Sequence, residues 1–168
     1  MAKDLVYMFH QTPKELAKEI INNIDFEDGE AVLEPFAGEK AFYDQLPSNV
    51  NKYYTEIEEG LCYTSFNFDK IKIKTIISNP PFRLDGKNAF FKIVEYFSSK
   101  NIDRIIFLCS SYCFCSLTSK RMKKINDNGF YINKITVVDV KKWRGRYYII
   151  TFSRTPNLSF QYFLNSFD

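Results

Sequence analysis

Asn79-Pro80-Pro81-Phe82 sets an amide side chain, two prolines and an aromatic ring in four consecutive positions. The Asn oxygen and a proline-flanked backbone carbonyl can both accept hydrogen bonds from an NH2 group, and a Phe ring offers a face for stacking. The β-branched run Thr75-Ile76-Ile77 before it reads as a buried strand. The prolines cannot continue a strand ladder and bias the residue before them to extended geometry. Asn79 and Phe82 therefore flank a stiff turn at the carboxyl end of a strand, where ligands bind in open α/β sheets. A proline turn that does no more than end a strand is the structural alternative. The chemistry has no need of histidine, which suits a chain whose one histidine is His10.

The order Asn-Pro-Pro-aromatic resembles the catalytic motif of the S-adenosylmethionine-dependent amino-methyltransferases, chiefly those that methylate the N6 of adenine. The resemblance implies catalytic roles for Asn79, Pro80, Pro81 and Phe82. An exocyclic adenine amine is a poor nucleophile because its lone pair is delocalised into the ring. Acceptors on Asn79 and the Pro80 carbonyl would hold that lone pair toward the methyl sulfonium and stabilise positive charge as it develops. Phe82 would stack the extruded base, a contact worth roughly 1–3 kcal/mol.

Further matches to this family lie along the chain. Glu34-Pro35-Phe36-Ala37-Gly38-Glu39-Lys40 follows the first expected strand, Ala31-Val32-Leu33, and looks like the cofactor motif Asp-Pro-Phe-x-Gly-x-Gly. Phe36, Ala37 and Gly38 would line the cofactor, and Glu34 would reach its amino group. Lys40 stands where the family has its second glycine, and lysine tolerates positive φ poorly. A second strand is expected over Val50 to Ile57. The acid at its end, Glu56, is placed for the ribose hydroxyls, with Ile57 beside it; an exposed surface acid is the alternative. Asn67-Phe68 occupies the place of the family's Asp-Phe, which reads the cofactor's adenine. Thr12-Pro13-Lys14-Glu15 reads as a helix start, with Thr12 as cap and Glu15 completing a capping box. Aromatic residues, Thr-Pro and a helix also resemble the family segment that closes over the methionine end of the cofactor, which implicates Thr12. Asn79 counts among the cofactor contacts too.

Composition bounds the alternatives. The 168 residues make one domain with room for a substantial core, and 17 Phe and 11 Tyr make it rich in aromatics. The net charge of +3 is too small to argue for nucleic acid by itself. No apolar run approaches a membrane span and the N-terminus lacks a signal peptide's apolar core, so no membrane association is expected. Cys62, Cys109, Cys113 and Cys115 follow no zinc spacing. No metal site is expected, and Cys113 and Cys115 read as buried reduced thiols in an intracellular protein, cytoplasmic or nuclear.

Past the motif, Arg83 to Lys87 reads as a mobile lid loop and Asn88 to Ser98 as an amphipathic helix. Asp103 to Cys109 reads as a mid-sheet strand, Ser110 to Thr118 as an irregular aromatic loop, and Ser119 to Asn128 as a basic helix carrying Lys120, Arg121, Lys123 and Lys124. Lys134 to Val140 and Tyr147 to Phe152 form two β runs around Lys141-Lys142-Trp143-Arg144-Gly145-Arg146. Lys141, Lys142, Arg144 and Arg146 would contact phosphates, with Trp143 against a base or sugar; a solvated hairpin tip is the alternative. The aromatic tail (Phe160, Tyr162, Phe163, Phe167) is expected to pack on the core or on a partner chain, homomeric or heteromeric.

The β/α alternation predicts an α/β domain with a mainly parallel sheet and a terminal antiparallel hairpin. The resemblance implies the seven-stranded, Rossmann-like class I methyltransferase fold over residues 1–168, with no separate target-recognition domain. It implies S-adenosylmethionine as cofactor and adenine-containing nucleic acid as substrate, DNA ahead of RNA. Two other readings stay open. One is an N5-glutamine protein methyltransferase, because a planar amide poses the same nucleophile problem. The other is an inactive methyltransferase-like scaffold subunit, for which Lys40 and Asn67 speak. A nicotinamide-binding oxidoreductase would leave Asn79 to Phe82 unexplained.

Overall fold

The computed structural model describes residues 11–84 and 86–167, with side chains to Leu158. His10 and the side chains of the aromatic tail lie outside the described residues. In chain order the elements are α1 (Lys14–Asn22), β1 (Ala31–Glu34), β2 (Asn51–Tyr54), β3 (Thr75–Ser78), β4 (Arg83–Leu84), β5 (Lys87–Asn88) and α2 (Phe90–Ser98). Then follow β6 (Arg104–Ser110), α3 (Ser111–Phe114), α4 (Ser119–Asp127), β7 (Tyr131–Val140), β8 (Tyr147–Ser153) and β9 (Ser159–Phe167).

Among the described residues one sheet carries the order β2-β1-β3-β6-β8-β7-β9. β1 pairs in parallel with β2 and β3, β3 with β6, and β7 with β9, while β8 runs antiparallel to both neighbours. The sheet is thus mostly parallel, with β8 alone reversed. The hairpin β7–β8 forms, but it is not terminal. The chain continues into β9, which returns parallel to β7 and takes the sheet edge. The alternation in Ser159-Phe160-Gln161-Tyr162 suits a strand beside β7, and the aromatic residues mask that pattern when they are read only as a packing tail.

Burial follows strand position. Ile76 and Ile77 of β3 point to opposite faces of the sheet and both are fully buried, each stabilising the fold by roughly 1.5–3 kcal/mol. One face packs Leu33, Ile76, Ile105, Phe107 and Ile150 against Phe90, Val94 and Phe97 of α2 and Ile125 of α4. The other packs Val32, Ile77, Ile106, Leu108 and Ile149 against Leu16, Ala17, Ile20 and Ile21 of α1. At the amino ends of the strands Arg104 pairs with buried Glu30 at 2.9 Å, and Thr75 donates to the same carboxylate. Burial raises the Glu30 carboxyl, but these partners outweigh it and hold it below its ordinary value. That end of the sheet is fastened; the opposite end carries the sequence motifs.

Four local expectations are corrected. β2 stops at Tyr54, because Glu56 caps the short 3-10 turn Ile57–Glu59 through its own side chain. Arg83 to Lys87 is no lid loop. β4 and β5 pair as a small antiparallel hairpin, Arg83 opposite Asn88 and Leu84 opposite Lys87, with Asp85 outside the described residues. Ser111–Phe114 forms a helical turn, so Cys113 is buried while Cys115, two residues on, is exposed. In a strand the two would share a face. Thr12 does not cap α1: Pro13 holds the cap position, no side-chain cap bond forms, and the Thr12 hydroxyl is engaged elsewhere.

Candidate active site

Three of the sequence motifs converge at the carboxyl end of the sheet. The loop after β1 is laced to the chain after β2: Thr55 N–H donates to Glu34 O (2.9 Å), Ala37 N–H to Thr55 O (3.1 Å), and Thr55 Oγ1 to Pro35 O (2.7 Å). The Glu56 carboxylate accepts from Gly38 N–H on one oxygen and from Glu58 N–H on the other. On its other flank the loop meets the end of β3, where Ser78 Oγ donates to Phe36 O at 3.3 Å. Asn79 follows directly, and its Nδ2 donates to Thr12 Oγ1 at 3.3 Å. Thr12, Glu34, Phe36, Ala37, Gly38, Glu56 and Asn79 thus belong to one connected cluster.

The loop geometry answers the question posed by Lys40. Its φ is 61°, the only positive φ of a non-glycine among the described residues, so the lysine adopts the left-handed conformation a glycine would take. Its side chain explains how. Lys40 Nζ lies 3.0 Å from a Glu59 oxygen and 4.1 Å from the centre of the Tyr54 ring. The ion pair and the cation–π contact offset backbone strain. We expect Lys40→Ala, which keeps the strain and loses the contacts, to unfold at lower urea than Lys40→Gly, which also loses the contacts but relieves the strain. Gly38 has φ 49°, and a Cβ there would come within 3.4 Å of the Gln11 amide. That position keeps the loop backbone approachable.

Glu34 is 2% exposed and accepts from Tyr43 N–H at 2.7 Å. Burial pushes its carboxyl up to about 8, against the bonds from the Tyr43 and Phe42 backbone, and the nearby Asp44 and Glu56 charges push the same way. A carboxyl so held ionises readily once a cation arrives. Glu56 is buried as well, while Ile57 beside it is 69% exposed and presents bare apolar surface at the sheet end. This combination can take an ammonium group, hydroxyls and a flat ring.

Asn67 and Phe68 join that cluster through the aromatic contacts of Phe68. Asn67 is exposed, and its Oδ1 accepts from Asp69 and Lys70 N–H (3.1 and 2.9 Å), an Asx turn that any sequence reading of Asn could equally have given. Phe68 packs edge-on to Phe66 (5.0 Å) and near Phe97 (6.2 Å). Tyr63 links this aromatic group to the loop, its ring 4.8 Å from Phe36 and 5.7 Å from Phe97. Tyr63 was not singled out from sequence, and in a chain with so many tyrosines nothing in its local pattern marks it.

Pro80 is buried, and Pro81 and Phe82 are half-buried. Phe82 touches the core on both faces of the sheet, and its ring centre is 6.3 Å from that of Tyr147. Tyr147 in turn lies 4.6 Å from Trp143. Trp143 is therefore half-buried against the core, whereas Lys141, Lys142, Arg144 and Arg146 around it are exposed. Arg144 and Arg146, with Arg83 and Lys87 of the β4–β5 hairpin, have no carboxylate partner among the described residues. The basic helix is more occupied. In α4, Lys123 pairs with Asp127 and Lys124 with Glu95, and Arg121 donates to Ser116 O while lying over Phe91.

Solved structures share this architecture. One chain of the Mtq2–Trm112 complex from E. cuniculi, responsible for methylation of the eRF1 translation termination factor, superposes with a TM-score of 0.64 and 14% identity over 88% of this chain and 98% of that one. A protein described as the modification subunit of a type I restriction enzyme from Vibrio vulnificus YJ016 gives 0.61 and 14%, over 90% of this chain and 46% of that one. The shared fold is Rossmann-like, and among the structures that have it are proteins described as class I S-adenosylmethionine-dependent methyltransferases. A protein described under that class, from Listeria monocytogenes, gives 0.57 and 15% over 88% of this chain and 63% of that one. The chain spans about half the length of the Vibrio subunit and less than two thirds of the Listeria protein. No protein-family model and no curated protein sequence matches it. No helix among the described residues is long and apolar enough to cross a membrane, and no group of metal-ligating side chains occurs among them.

Proposed function

We propose that this protein transfers a methyl group from S-adenosylmethionine to the N6 amine of adenine in nucleic acid. The observation that carries the proposal is Asn79-Pro80-Pro81-Phe82 at the end of β3, with Asn79 bonded to Thr12 and Ser78 bonded to the Glu34–Gly38 loop. When bound, S-adenosylmethionine supplies an electrophilic methyl carbon and a neutral thioether leaving group. Glu34 would accept from its ammonium group, Glu56 from its ribose, and Ile57 would cover its adenine. Because Asn79 Nδ2 is engaged by Thr12, the amide presents Oδ1, an acceptor, to a substrate amine. Asn79 Oδ1 and the Pro80 carbonyl would hold the two amine hydrogens, so that the nitrogen lone pair is drawn out of conjugation with the ring and points at the methyl carbon. Methyl transfer would form the N–C bond as the S–C bond breaks, and the surplus proton on nitrogen would pass to water. Phe82 stacks the base throughout.

The Vibrio modification subunit and the Mtq2–Trm112 complex stand for the two substrate classes, nucleic acid and protein. The exposed cations Arg83, Lys87, Arg144 and Arg146, which have no carboxylate partner among the described residues, favour the polyanion. The test is incorporation of radiolabelled methyl from S-adenosylmethionine into duplex DNA, single-stranded DNA, structured RNA and a glutamine-containing peptide, each separately. Label in N6-methyladenine supports the proposal. Label in the peptide alone moves the enzyme to glutamine, and label in none supports a scaffold subunit.

Glu34 gives a pH signature. Below about pH 8 the empty site holds Glu34 protonated, so binding the cofactor's ammonium expels that proton. Affinity should therefore rise with pH from about 6 to about 8, by up to roughly tenfold per unit. The sign for stability is opposite. The raised carboxyl favours the folded chain fully below about 4.5, and that contribution is lost as pH climbs through about 8. Calorimetry in buffers of different ionisation heat should show proton release near neutrality, and Glu34→Gln should abolish it. An unchanged proton count in Glu34→Gln would remove Glu34 from the cofactor site.

A further inference from the structure

Next to the motif stands a second, smaller construction that the methyl-transfer reading does not use. Phe82 O accepts from Ala89 N–H at 3.1 Å, which closes the base of the β4–β5 hairpin directly onto the motif. Asn88 then fastens the hairpin to α3. Its Nδ2 donates to Tyr112 O at 3.2 Å while its Oδ1 accepts from Phe90 N–H at 3.1 Å. From the other side, Ser111 N–H donates to Arg146 O at 2.9 Å, tying α3 to the basic hairpin. Tyr112 is thus anchored through its own carbonyl and through the N–H of Ser111 before it.

The Tyr112 side chain takes no part in those bonds. It is 48% exposed, an unusual place for a large aromatic, and the Arg83 guanidinium lies 5.3 Å from its ring centre. Leu84, on the same hairpin, is 38% exposed. An exposed ring with a cation over it, and with the exposed cations Lys87 and Arg146 on the two hairpins tied to its helix, has the composition of a platform for unpaired nucleotides: the ring stacks a base and the cations take phosphates.

Resting on the nucleic-acid reading above, we propose that Tyr112 and Arg83 form a clamp for the nucleotide adjacent to the methylated adenine. Tyr112 stacks the neighbouring base and Arg83 meets the phosphate between the two. Arg83 follows Phe82 directly in the chain and Ala89 N–H closes the hairpin onto Phe82 O, so the clamp grips the nucleotide beside the target and not the target itself. It acts on unpaired substrate, because a base held in its duplex partner's stack has no free face to give. Tyr112 is accordingly a positioning residue. Its effect falls on substrate binding and leaves the chemical step alone.

The test uses the full chain and short single-stranded oligonucleotides carrying one adenine, with an abasic residue substituted in turn at the nucleotide before and after it. Tyr112→Ala should raise KM for the intact oligonucleotide by roughly ten- to a hundredfold, the scale of one lost base–aromatic stack, with KM for S-adenosylmethionine unchanged. Tyr112→Phe should restore the wild-type value. One abasic position should raise wild-type KM to the same degree and add nothing to Tyr112→Ala. Arg83→Ala should lower the salt slope of binding by roughly 0.7, the single-strand value for one phosphate. Since Tyr112 is anchored through its backbone, the Ala variant should melt with the wild type. Multiplying effects of the variant and the abasic site, or an unchanged KM in Tyr112→Ala, would overturn the clamp while leaving adenine methylation intact. A wild-type enzyme that labels no oligonucleotide would overturn both.

Discussion

Asn79→Ala is expected to slow methyl transfer by at least about 100-fold, the usual scale for removing one hydrogen-bond partner that acts in the transition state. Affinity for S-adenosylmethionine should hardly move. The cofactor loop is fixed by bonds that do not pass through the Asn79 amide: Thr55 to Glu34, Ala37 and Pro35, Gly38 to Glu56, and Ser78 to Phe36. Thr12→Val supplies the companion measurement. It removes the hydroxyl that Asn79 Nδ2 meets, while the Asn79 oxygen itself remains. An amide that has lost its orienting partner still accepts, but less often in the productive direction, so kcat should fall by less than in Asn79→Ala. Single-turnover kinetics with pre-bound cofactor would separate chemistry from binding. A normal single-turnover rate in Asn79→Ala would show that the amine is held by other groups.

The convergence of motifs was legible in the sequence because each sits at a strand end, and strand ends on one side of a mostly parallel sheet must lie together. The run Thr75-Ile76-Ile77 announces a strand buried on both faces, and β3 is fully buried along its length. Where reading failed, a local rule competed with a tertiary contact. Thr12-Pro13-Lys14-Glu15 has every feature of a capping box, yet the Thr12 hydroxyl sits beside Asn79, sixty-seven positions along the chain, and no sequence rule weighs a cap against a distant amide. Lys40 is the reverse case. Its residue type argued against positive φ, but the conformation is kept through Glu59 and Tyr54, whose positions relative to Lys40 follow only from the fold. Charge was legible as a count and not as a distribution. The four cations of the helix beginning at Ser119 look equivalent to those around Gly145, yet Lys123, Lys124 and Arg121 are engaged by groups of their own domain.

Arg144 and Arg146, which have no carboxylate partner among the described residues, place the largest binding effect at this hairpin. Replacing Lys141, Lys142, Arg144 and Arg146 together with Ala should weaken nucleic-acid binding across all sequences alike. Each lost phosphate contact reduces the salt slope by roughly 0.7–0.9, so four reduce it by about 3, and affinity at 0.1 M salt should fall about a thousandfold. The comparable replacement of Lys123 and Lys124 should change it little, since both already face carboxylates. Cofactor affinity should be the same in both variants, because the hairpin is joined to the motif through Tyr147 and Phe82 and has no bond to the Glu34–Gly38 loop. Trp143 behaves differently from the cations beside it. Its ring is packed on Tyr147 and half-buried, so Trp143→Ala should lower stability as well as binding, and the two are told apart by measuring affinity well below the melting temperature. Titration of labelled oligonucleotides at several salt concentrations reads all of these. An unchanged slope in the quadruple variant would make the hairpin a solvated turn and leave Arg83, Lys87 and Lys120 as the next cations to remove.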